Sequence, residues 1–145
     1  MEINGLPLHP LVVHAAVVFG PLGAVAALVY VLVPSWRDRM RWPMVGLALV
    51  ATGAIVVAFL TGNNFLNSRP ELQQLAQVQT HKSRATTLLW VTLGFAVVAV
   101  VAGTLHERTG AVRLVLRLVL GLAALAVLIG VLLTGDAGAR AVWGG

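Results

Sequence analysis

The chain has no cysteine. That removes disulfide frameworks, iron–sulfur clusters and thiolate metal sites. Carboxylates are nearly as scarce: five Asp and Glu stand against ten Lys and Arg, and Lys82 is the single lysine. Charged residues make up 10% of the chain, where soluble domains carry roughly a quarter. No GxxxxGK[ST], GxSxG, HExxH or dinucleotide-binding GxGxxG occurs, which speaks against a self-contained kinase, hydrolase or dehydrogenase and against an enzyme generally. The N-terminus lacks a basic n-region and an A-x-A site after a short apolar run, so the first apolar block is expected to persist as a helix rather than be cleaved.

What the chain has instead is apolar length. Hydrophobic residues make up 59% of it, and the mean hydropathy is +0.91. They come in long blocks, not in stripes of 3.6-residue period. Four blocks, at about 10–33, 44–61, 85–105 and 112–134, are long enough for a hydrocarbon core of roughly 30 Å. The reading is an all-α, integral membrane bundle of four transmembrane helices, forming one domain over 1–145. Pro10 suits the first turn of the first helix, and Pro21 predicts a kink further along. Ala16, Gly20 and Ala24 form a small-residue seam for close helix packing. Trp36, Trp42, Trp90 and Trp143 read as interfacial anchors.

Between the second and third blocks, Ser68-Arg69-Pro70-Glu71 fits a capping box. The residues after it suggest a short amphipathic helix on the membrane surface, or else a soluble extension of the third span. The net charge of +5 comes from arginines in the gaps between apolar blocks, where they serve topology and headgroups rather than nucleic acid. Arg37, Arg39, Arg41, Arg108, Arg113 and Arg117 fall on one side of the membrane. Arg69, Lys82, Arg84 and Arg140 fall on the other. The positive-inside rule then expects a multi-pass plasma-membrane protein with both termini extracytoplasmic.

Up-down topology places His9, His14, Asn63, Asn64, His81 and Asp136 at the same end, with His106 at the other. Ionisable groups in an apolar setting are functional candidates because burying them is costly. His14 is the first candidate, with His9 and His81, for a haem or metal site. The metal candidates are His14 and His81, and the cofactor would be haem b or a transition metal. His9 and His14 lie about 140° apart on a helix, so they converge only if His9 sits outside regular helix. Asn63, Asn64 and Asp136 read first as helix-end residues. A faint repeat joins Leu60-Thr61-Gly62-Asn63 to Leu133-Thr134-Gly135-Asp136, and His9 to His81, suggesting two duplicated helical hairpins.

The His9-Pro10-Leu-Val-Val-His14 start, the glycine-containing end of the second block, His81 before the third and the glycine-rich end after the fourth make this chain resemble domain of unknown function 2231. That is a family of small predicted membrane proteins, and the likeness spans essentially the whole chain. Phe-Pro often follows the second histidine in that family, where Ala15-Ala16 stands here. The resemblance implies a four-helix membrane protein of unassigned activity. Relatives joined to cytochrome-type domains point toward a redox-linked role. The leading reading is a haem- or metal-binding, redox-linked membrane module with its site near the extracytoplasmic face. The alternatives are a non-catalytic structural subunit of a larger membrane complex, or a small transporter. The expected partners are the lipid bilayer and other membrane or redox proteins, with oligomer formation open.

Overall fold

The computed structural model describes residues 2–144. Glu2–Ile3 (β1) and Leu6–Pro7 (β2) pair antiparallel. Asn4 and Gly5 between them take φ of +51° and +79°, the left-handed pair that Asn-Gly adopts at least steric cost in a two-residue hairpin. The chain then enters α1 (Leu8–Leu32). A single 3-10 turn at Pro34–Trp36 leads into α2 (Arg37–Asn67). A second 3-10 turn at Leu72–Gln74 precedes α3 (Ala76–Thr104), and α4 (Gly110–Trp143) completes the bundle.

All four helices are long and apolar enough to cross a membrane. At about 1.5 Å per residue, the 25 residues of α1 exceed the hydrocarbon thickness of roughly 30 Å. The helices outrun the apolar blocks that announce them. α2 begins at Arg37 rather than Met44 and passes through Gly62-Asn63-Asn64 to Asn67, and α4 continues beyond Thr134 to Trp143. Hydropathy marks the depth of the hydrocarbon, whereas helical hydrogen bonding continues into the hydrated headgroup layer.

The stretch between α2 and α3 also differs from the capping-box expectation. Ser68 closes α2 instead of opening a helix, its hydroxyl donating to the Phe65 carbonyl at 2.8 Å. No separate surface helix forms beyond the Leu72–Gln74 turn. The polar residues up to Arg84 are the first turns of α3, the extension of the third span that was the second possibility.

α1 packs on α2 and α4, and α3 packs on the same two helices, so α1 and α3 lie on one diagonal. The centre is built from small side chains, with Ala24, Ala27, Ala48, Ala51, Ala99 and Ala124 fully buried. A Cβ at Gly20 would fall 2.9 Å from Val131 Cγ2, and one at Gly23 would fall 3.1 Å from the Leu47 carbonyl oxygen. The Ala16–Gly20–Ala24 seam thus lets α4 come close, and Gly23 beside it admits α2. Large apolar residues such as Leu22, Val97, Leu122 and Leu132 point outward. Water would penalise that surface, whereas lipid matches it.

Candidate functional site

His9 sits in the first turn of α1 and turns toward α2. Its Nδ1 lies 2.9 Å from the Ala58 carbonyl oxygen and 3.3 Å from Thr61 Oγ1. A carbonyl can only accept, so Nδ1 carries the proton and the neutral ring keeps its lone pair on Nε2. Thr61 commits its own hydroxyl to the carbonyls of Val57 and Ala58. One turn beyond Ala58, Gly62 makes room for the ring: a Cβ there would fall 3.0 Å from His9 Cε1. Phe65 stacks with the imidazole at a centroid separation of 6.5 Å, and the Arg69 guanidinium covers Phe65 at 4.6 Å.

His81, in the second turn of α3, repeats the arrangement on α4. Its Nδ1 donates to the Thr134 carbonyl at 3.0 Å. A Cβ on Gly138 would fall 3.0 Å from His81 Cε1. The two hairpins therefore carry the same device of histidine, carbonyl and, one turn later, glycine. The sequence match between the Leu-Thr-Gly ends is not the spatial one. Thr134 takes the place of Ala58 rather than of Thr61, and Gly138 rather than Gly135 takes the place of Gly62. The shift arises because the backbone carbonyl that receives the ring, not the identity of the side chains, defines the equivalence.

Both rings line one cavity of about 90 Å³, together with Val13, Ala16, Ile55, Leu88, Val131 and Thr134. The lining is apolar apart from the imidazoles and Thr134. The Thr134 hydroxyl oxygen is buried and has no hydrogen-bond partner.

The other candidates lie elsewhere. His14 is exposed, and its Nδ1 donates to the Pro10 carbonyl of its own helix at 2.7 Å. Because His9 is inside α1, the angle between the two keeps His14 off the cavity. Asn63 and Asn64 lie in the last turns of α2. Asp136 accepts from Arg140 Nε at 3.0 Å and pairs with Arg84 at 3.8 Å. Arg84 also donates to the Leu133 carbonyl at 3.1 Å. Among the described residues no group of three or more His, Cys, Asp or Glu side chains could hold a metal ion.

At the opposite end, a polar chain links the neighbouring Tyr30 and Asp38 to His106, which lies 76 and 68 residues further along the chain. His106 Nε2 lies 2.7 Å from Asp38 Oδ1, and Tyr30 Oη lies 2.7 Å from His106 Nδ1. The carboxylate accepts from Nε2–H, so in the neutral ring Nδ1 accepts the Tyr30 hydroxyl proton. The sequence reading set His106 apart as a lone residue. The signal that could have found its partner was topology, which puts Asp38 in the connection at the same end.

Four apolar helices with small residues inside, large apolar ones outside and an imidazole pair in an internal cavity define a small polytopic membrane protein. The chain belongs to the family described as Predicted membrane protein (DUF2231), which matches residues 5–145. No curated protein and no solved structure matches it.

Proposed function

We propose that the protein is a haem-binding, redox-linked module of the plasma membrane in which His9 and His81 would hold the haem. The observation that carries the reading is the pair of imidazoles on diagonal helices. Both line one apolar cavity, and each has Nδ1 tied to a backbone carbonyl so that the Nε2 lone pair is left to bind. Ligating histidines commonly have their other ring nitrogen held in this way, which fixes both tautomer and orientation.

The donor set suits a porphyrin better than a bare ion. Two imidazoles complete the axial coordination of haem iron. A structural zinc ion would seek four protein donors and a catalytic one three, and here no thiolate is available and no carboxylate lines the cavity. The apolar walls match a porphyrin face, and the unpartnered Thr134 hydroxyl is a spare polar group on the same wall. The cavity, about 90 Å³, holds less than a whole porphyrin. Arg69, Lys82 and Arg84 stand at this end as counter-charges for its carboxylates. Haem held by His9 and His81 would supply one-electron transfer. The chain's own part would be to hold both rings by their Nδ1 hydrogen bonds and to limit water. By the positive-inside rule this end would lie outside the cytoplasm.

Protein purified in mild detergent after expression with haem supplied is expected to show a Soret band. His9→Ala and His81→Ala should each lose it, and His14→Ala should keep it. A wild type without the band, or a band that survives both cavity variants, would overturn the reading.

A further inference from the structure

The end of the bundle opposite the histidine cavity is rich in arginine and poor in carboxylate. Arg37, Arg39, Arg41, Arg108, Arg113 and Arg117 share it with Asp38 and Glu107. Both carboxylates are engaged, Asp38 by His106 at 2.7 Å and Glu107 by Arg41 at 3.8 Å. Arg37 places Nε and Nη2 on the carbonyls of Tyr30 and Val31 at 2.8 and 2.7 Å, and Arg41 Nε donates to the Gly103 carbonyl at 2.7 Å. Arg113 and Arg117, one turn apart on α4, make no hydrogen bond or ion pair with any described residue.

Arg117 is the telling member of the pair. It is half-buried, about two turns into α4, between Leu116 and Leu118. A cation taken partly out of water in an apolar segment needs a counter-charge, and the protein supplies none. Arg113 and Arg117 line a small pocket together with Tyr30, His106, Leu105 and Leu116. The pocket's volume of about 10 Å³ admits a single oxygen-sized group. Tyr30 and His106, hydrogen-bonded to each other, and the leucines Leu105 and Leu116 line it with the two arginines.

We infer that this pocket binds the phosphodiester of an anionic membrane lipid. One phosphate oxygen would enter between the two guanidinium groups, and the glycerol and first acyl carbons would lie along Leu105 and Leu116. Guanidinium forks match phosphate geometry, and basic pockets between membrane helices are recognised headgroup sites.

The test is thermal unfolding of delipidated protein in neutral detergent, titrated with phosphatidylglycerol, with phosphatidylcholine or with inorganic phosphate. Wild type, Arg113→Gln/Arg117→Gln and the control Arg108→Gln, which does not line the pocket, would be compared. Phosphatidylglycerol should stabilise wild type and the control alike. Its apparent affinity for the double variant should fall by about tenfold or more, as expected on losing charge-assisted hydrogen bonds. Equal stabilisation of all three proteins, or equal stabilisation by phosphatidylcholine, would overturn the site. An equal effect of inorganic phosphate at the same concentration would overturn the lipid as its occupant.

Discussion

A glycine one turn beyond an accepting carbonyl is the smallest device in this molecule, and it occurs twice. Gly62 and Gly138 each sit where a Cβ would crowd an imidazole at 3.0 Å. Gly62→Ala or Gly138→Ala should push the ring aside by a few tenths of an ångström and loosen its Nδ1 hydrogen bond. On the proposed reading, haem affinity would then fall about ten- to hundredfold, the usual effect of disturbing a group that orients a ligand. Gly135→Ala, with open space around its Cβ position, should leave affinity unchanged. Haem titration of the three variants checks this, and an equal loss in all three would remove the special role of Gly62 and Gly138. At the far end, Tyr30→Phe removes one hydrogen bond from His106 and should cost about 0.5–1.5 kcal/mol. His106→Ala also leaves the buried Tyr30 hydroxyl unpaired and should cost about 1–3 kcal/mol. Denaturation in mixed micelles would read the order, and a larger effect from Tyr30→Phe would contradict it.

At the scale of the element, what matters is how closely helices approach. Gly23 faces the Leu47 carbonyl at 3.1 Å and Ala51 Cβ at 3.2 Å. Neither is the end of a flexible side chain, so Gly23→Ala must part α1 from α2. Overpacking of this kind costs about 1–3 kcal/mol. Gly46 and Gly53 on α2 have nothing within 4 Å of a Cβ. Alanine there should be neutral or stabilise the helix by up to about 1 kcal/mol. A melting temperature lowered by Gly46→Ala as much as by Gly23→Ala would show that packing is not what separates them. The seam of Ala16, Gly20 and Ala24 was legible beforehand because close approach demands small residues at helical spacing. The ends of α2 were not legible, because the polar turns at Arg37–Arg41 and Gly62–Asn67 leave no hydropathy mark, whereas the extension of α3 over Gln77–Arg84 was one of two readings the polar stretch allowed.

For the whole molecule, the two connections rich in arginine set the expected orientation. The chain has no cysteine, so single Ser35→Cys and Ser68→Cys variants report without background. An impermeant maleimide applied to intact cells should label Ser68→Cys and spare Ser35→Cys. Labelling of Ser35→Cys from outside would reverse the orientation and move the histidine cavity to the cytoplasmic face. The two related hairpins give a second expectation: His9→Ala and His81→Ala should be nearly equal in effect, since each would remove one of the two proposed haem ligands. A cofactor lost from one variant and retained fully by the other would break the equivalence.

The sequence by itself determined the solvent and the architecture. Apolar runs of membrane-crossing length must lie in lipid, and their backbone polar groups must then be satisfied within helices. It also determined that His9 and His81 share an end, because alternating spans fix which connections meet. Which histidines face each other is a matter of rotation about the helix axis and of the backbone each ring touches. Only the packing of α1 on α2 and α3 on α4 decided that. It turned His9 and His81 inward against the Ala58 and Thr134 carbonyls, left His14 on the outer surface, and joined Tyr30, His106 and Asp38 across three segments. Hydropathy is averaged around a helix and carries no angular phase strong enough to say so.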